Sequence, residues 1–140
     1  MLKSKRSKLK RISTKQPLIQ KEVDFVDYEK IVVDIIIQQW RLLQLFIKAT
    51  SKLENVDQNR YVNQIRYIQK SVDDSLKKIG LTLVNLENQP YDIGMAATVL
   101  NMDDFEIDDK LMVKQMLEPL IMKNGIIKRE AVINLAKVGQ

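Results

Sequence analysis

The sequence predicts an α+β chain: a helical hairpin that dimerises into a four-helix bundle, followed by a small C-terminal β domain. Three observations carry this. Tyr28 to Leu53 contains no Gly and no Pro, and its apolar residues recur at steps of three and four. A second stretch with helical periodicity ends in Lys77-Lys78-Ile79-Gly80. Beyond it the pattern turns to short apolar runs, and Met122-Lys123-Asn124-Gly125-Ile126-Ile127 reads as strand, Asn-Gly turn and strand.

The N-terminal segment stands apart by charge. Residues 1–21 hold Lys3, Lys5, Arg6, Lys8, Lys10, Arg11, Lys15 and Lys21 and no acid, whereas the rest of the chain carries 15 basic and 18 acidic residues. With Ser4, Ser7, Ser13, Thr14 and Pro17 and no apolar period, residues 1–22 are expected to form a disordered basic tail, unable to offset its ordering entropy by burial. Its plainest reading is a solvated extension. Organelle targeting, and binding of nucleic acid or an anionic surface through residues 1–21, are the alternatives. No secretory apolar run follows it, and a cytoplasmic location is expected.

Residues 23–79 are expected to form the dimerisation domain. Ile36, Trp40, Leu43 and Ile47 lie on one helical face, and Val32, Ile35, Leu42 and Phe46 widen that face. A helix apolar around so much of its circumference is buried on two sides, here by its own chain and by a second copy. Asp34, Gln38, Gln39 and Arg41 interrupt the run, which argues against a membrane span. Residues 55–59 read as a polar break with candidate N-caps. The next helix carries the stripe Val62, Ile65, Ile68, Val72, Leu76 and Ile79, ends on Lys77 and Lys78, and has Gly80 as its C′ residue. Two helices cannot enclose a core alone, so a homodimer is expected, with Ile36, Trp40, Leu43, Ile47, Ile65 and Val72 at its interface.

Residues 80–140 read as the β domain. Leu81 to Leu86 alternates as a strand, residues 87–94 form a loop, and Met95 to Leu100 is a short strand. Residues 101–110 are an acidic loop, and Leu111 to Met122 supplies one or two strands with Pro119 at an edge or bulge. Residues 127–137 form a final strand that closes the sheet.

Taken in order, these features resemble the GrpE family, nucleotide-exchange factors of DnaK-type chaperones. The residues that carry the resemblance are Gly80 after the second helix, the strand Leu81 to Leu86, and Gln89-Pro90-Tyr91-Asp92. They continue with Asn124-Gly125 followed by Arg129, Ala131, Val132, Ile133, Leu135 and Lys137. The likeness spans roughly residues 31–137. Where the family has His-Glu-Ala or His-Gln-Ala, this chain has Met95-Ala96-Ala97-Thr98; where it has Gly-Tyr, this chain has Leu120-Ile121. The long N-terminal stalk helix is mostly missing.

The resemblance implies a partner, the nucleotide-binding domain of a DnaK-type chaperone, whose open cleft the β domain would favour so that ADP leaves. Pro90, Tyr91 and Asp92 would be a presenting loop and Arg129 a charged contact. A dimeric adaptor that keeps the fold without exchange is the alternative that the departures suggest.

Other chemistry finds little support. The chain has no Cys and no His, which removes thiolate nucleophiles, zinc–thiolate sites and the commonest general base. The acidic run 103–109 lacks the Gly and terminal Glu of a calcium-binding loop, and the glycines at 80, 94, 125 and 139 are too isolated for a phosphate loop. No catalytic residue, metal or cofactor is expected, and the chain does not read as an enzyme.

Overall fold

The computed structural model describes residues 26–139. The expected disordered tail and its nucleic-acid, anionic-surface and targeting readings lie outside these residues. Helix α1 spans Tyr28–Thr50. Asp27 caps its start: its Oδ1 accepts the Lys30 backbone N–H at 3.0 Å. At the other end the Thr50 and Ser51 hydroxyls donate to the carbonyls of Ile47 and Lys48, at 3.0 and 2.7 Å. The Ile47 carbonyl also accepts the Ser51 backbone N–H at 3.0 Å, so the last turn is closed by main chain and side chain together.

The second helix, α2, spans Asn55–Lys77. The polar stretch expected as a break over residues 55–59 is therefore its opening turn, with the Gln58 N–H already bonded to the Glu54 carbonyl at 2.9 Å. Residues 51–54 make the reversal instead. Polarity misplaced the boundary because the first turn of a helix favours polar and acidic residues as much as a loop does. Phe46 and Tyr61 meet edge to face at 5.9 Å between ring centroids, pinning the two helices together. Lys78 is the C-cap, so Gly80, at φ +78°, lies one residue beyond the expected C′ position.

Six strands follow. β1 is Leu81–Val84, β2 Ala97–Val99, β3 Leu111–Glu118, β4 Leu120–Lys123, β5 Ile126–Arg129 and β6 Ala131–Lys137. They form two three-stranded sheets, ordered β1-β4-β5 and β2-β6-β3. All pairings are antiparallel except β2 with β6. Over the described residues the chain is thus α+β, two helices followed by a β region.

Two breaks create the second sheet. Pro119, fully buried, separates β3 from β4 and marks where the chain leaves one sheet for the other. Proline lacks the N–H needed to continue a ladder, which suits such a crossing. Glu130 separates β5 from β6, and there the chain crosses back. The expected continuous strand over residues 127–137 is therefore divided between two sheets. Its last part is a central strand, not an edge: β6 pairs with β2 on one side and β3 on the other. The Asn-Gly turn forms as read, with Asn124 at φ +50°, Gly125 at +81°, and Lys123 opposite Ile126.

Alternate residues of β6, Ala131, Ile133 and Leu135, are buried together with Val113 and Met116 of β3. This period of two points one face of the sheet into the core. Trp40 of α1 completes that cluster, along with Leu86 and Leu120.

Candidate functional site

The residues picked out as a presenting loop and a charged contact do not line one cleft. Pro90 and Tyr91 sit at the end of the β2-β6-β3 sheet: Pro90 bridges to Met112, and the Tyr91 N–H donates to the Leu111 carbonyl at 2.9 Å. Asp92 turns its carboxylate onto the Gly94 N–H, at 2.9 Å, closing a tight local turn that leaves Ile93 almost wholly in solvent. This loop borders a groove of about 630 Å³ that Met102, Phe105 and Ile107 also line.

Arg129 stands at the end of β5, in the other sheet. It faces α1, 3.5 Å from the Asp34 carboxylate, and both side chains remain about half exposed. About two turns further along α1, Arg41 pairs with Glu118 at the end of β3. These residues, with Ile35, Ile37 and Gln38, line a second cleft of about 660 Å³. Both guanidinium groups already face carboxylates, so the cleft presents paired charges.

The expected dimer face is divided in the structure. Ile36 and Trp40 are buried within their own chain, Trp40 at 3% exposure in the β-domain core. Its indole N–H donates to the Met116 carbonyl at 3.0 Å. Ile65 is likewise buried, Leu43 and Val72 are half-buried, and Ile47 is exposed. The outward stripe of α1 is Ile35, Leu42, Leu45 and Phe46, with Leu42 and Leu45 each about two-thirds exposed. Three of these four had appeared only as a widening of the buried face. Periodicity found both stripes but did not say which one the chain's own β domain would cover.

The acidic segment between β2 and β3 contains a short 3-10 turn, Met102–Asp104. It is held at both ends. The Asn101 side chain makes two 2.9 Å bonds with the backbone of Leu135, donating through Nδ2 and accepting at Oδ1. At the far end, Asp109 Oδ2 accepts the Glu106 N–H at 2.8 Å and lies 3.4 Å from Lys137 Nζ. Sequence reading passed over Asn101, whose partner lies 34 residues away and meets it only on folding.

Among the described residues no group of three or more His, Cys, Asp or Glu is placed to hold a metal ion, and no helix is long and apolar enough to cross a membrane. One carboxylate is perturbed. Burial raises the pKa of Asp73 on α2, Lys77 opposes the rise, and Asp74 adds to it. Its Oδ1 is buried without a hydrogen-bond partner. Neither a protein-family model nor a curated protein sequence matches this chain.

Proposed function

We propose that this chain is a GrpE-like nucleotide-exchange factor that promotes ADP release from a DnaK-type chaperone. The observation that carries the reading is the order of its elements: a helical hairpin, a left-handed Gly80, a Gln89-Pro90-Tyr91-Asp92 loop, and an Asn124-Gly125 hairpin leading to a terminal strand. This is the order that the family resemblance requires. The mechanism is mechanical. By binding the open nucleotide-binding domain more tightly than the closed one, the β domain shifts the chaperone toward nucleotide release; binding both states equally would shift nothing.

The outward stripe Ile35, Leu42, Leu45 and Phe46 supports a homodimer, since apolar surface of this kind is commonly covered by a partner. Two hairpins joined through it would form the four-helix bundle. The sequence departures at Met95-Ala96-Ala97-Thr98 and Leu120-Ile121 favour a second reading, a dimeric adaptor with the same fold and no exchange activity.

Release of a fluorescent ADP from a DnaK-type chaperone, with wild-type protein and with Arg129→Ala, tests the proposal. Faster release that Arg129→Ala weakens supports exchange through the β domain. Unchanged release by an intact dimer leaves the adaptor reading.

A further inference from the structure

We propose that the groove beside the Pro90–Gly94 loop is a docking site for a basic peptide segment with apolar anchors, presented by a partner protein. The inference does not rest on nucleotide exchange, whose charged residue Arg129 lies in the other sheet.

The groove has an apolar floor of Tyr91, Met102, Phe105 and Leu111. Its two banks carry Ile93 and Ile107, at 91% and 101% exposure. Two isoleucines held this far into water, contributed to one apolar depression by two separate loops, offer a pair of apolar anchors. Scattered single apolar residues are ordinary on surfaces; exposed apolar residues gathered around one shared groove are the kind of contiguous patch that marks an interaction site.

The walls are already fixed. The Tyr91 N–H holds one bank to the Leu111 carbonyl, and the Val138 N–H bonds the Lys110 carbonyl, each at 2.9 Å. Asn101 and Asp109 anchor the two ends of the other bank. A peptide entering this groove therefore has little chain to order on the protein side, a cost that otherwise weakens binding.

Charge identifies the occupant. Asp103, Asp104, Glu106 and Asp108 are exposed on the chain segment that supplies one bank, Glu106 lining the groove itself, and no ion pair engages them among the described residues. Of the nearby cations, Lys137 is already paired with Asp109, which leaves Lys110 as the one basic side chain lining the groove. A segment of alternating apolar and Lys or Arg residues matches both features. Its apolar side chains enter between Ile93 and Ile107, and its cations face the acidic bank. A nucleic acid, with its phosphates, would be repelled from this bank.

Fluorescence anisotropy of a fluorescein-labelled peptide alternating leucine with lysine, titrated with the full chain, tests the site. The wild-type protein should bind it, with affinity falling as salt rises; a leucine–glutamate peptide should not bind. Replacing Ile93→Ser and Ile107→Ser together should weaken binding about tenfold, the effect of withdrawing buried apolar contact. Replacing Asp104→Asn and Glu106→Gln should flatten the salt dependence. All four side chains are exposed, so circular dichroism and melting should be unchanged in these variants. Equal binding by wild type and the isoleucine variant would overturn the proposal, as would absence of binding. Concentration-dependent self-association that the isoleucine variant abolishes would overturn it too, assigning the groove to a second copy of this chain.

Discussion

The indole N–H of Trp40 on α1 donates to the backbone carbonyl of Met116 in β3, 76 residues away in sequence, at 3.0 Å. The N–H of the same Met116 donates to the Glu87 carboxylate at 3.1 Å. Both main-chain groups of this residue are thus engaged by side chains, beside a register shift in the β3–β6 pairing. Shifts of this kind interrupt the ladder and leave peptide groups in need of partners. Trp40 therefore ties the helix to the sheet at the point where the sheet cannot satisfy itself.

Trp40→Phe should keep most of the ring's packing and leave the Met116 carbonyl without this donor. The expected cost is about 1–3 kcal/mol in urea unfolding, the penalty of a buried acceptor without a partner. Trp40→Ala should cost more, about 3–5 kcal/mol. Because Trp40 is the only tryptophan, its fluorescence should be blue-shifted in the folded chain and move to the red as the β-domain core opens.

Arg129 and Asp34 predict a separation of function from stability. Their 3.5 Å pair is about half exposed on both sides, where such pairs contribute about 0–1 kcal/mol. Asp34→Asn and Arg129→Ala should therefore leave the unfolding midpoint nearly unchanged. If Arg129 meets a chaperone, Arg129→Ala should slow ADP release while Asp34→Asn does not. Equal loss in both variants would mean that the pair acts by holding β5 against α1.

Asp73 predicts a pH dependence. Its pKa in the folded chain is raised above the ordinary 3.8, chiefly by burial, with Lys77 opposing and Asp74 adding. Between the ordinary and the raised value the folded state binds the proton more readily than the unfolded state. Stability should consequently fall as pH rises through that window. Asp73→Asn removes the buried charge, so it should raise the melting temperature at neutral pH and flatten the dependence on the acid side. Parallel wild-type and variant curves across that window would show that the carboxylate is not desolvated.

Local chemistry and tertiary context contributed differently to what could be read from the residues. The Asn124-Gly125 turn was legible because two successive positive φ angles suit very few residue pairs. The helices were legible because spacings of three and four persist over long stretches. Pro119 was read as an edge or bulge, and a chain crossing uses the same missing N–H. Glu130 gave no comparable sign: it keeps its backbone N–H and could continue a ladder, and a period of two does not say which sheet a strand joins. Trp40 failed as a dimer residue for a related reason. An apolar stripe states that a face is covered, and only long-range packing decides whether Met116 or a second copy covers it. The groove between Ile93 and Ile107 was invisible for the same reason, since its banks come from separate loops that meet only on folding.

Gly80 and Asn124 supply a last prediction, which joins the helix end to the hairpin. Gly80 sits at φ +78°, and a Cβ placed there would lie 3.0 Å from Asn124 Oδ1. The Asn124 N–H also donates to the Gly80 carbonyl at 3.3 Å. Gly80→Ala therefore faces two penalties. The left-handed backbone alone costs an L-residue about 1–2 kcal/mol, and the crowded Asn124 side chain adds to it. Asn124→Gly tolerates the positive φ at residue 124 and removes the crowding atom. In a double-mutant cycle, Gly80→Ala should be less damaging in the Asn124→Gly background, with a coupling of about 0.5–1 kcal/mol. Strict additivity would assign the whole cost to the backbone at residue 80 and show that the Asn124 side chain swings aside freely.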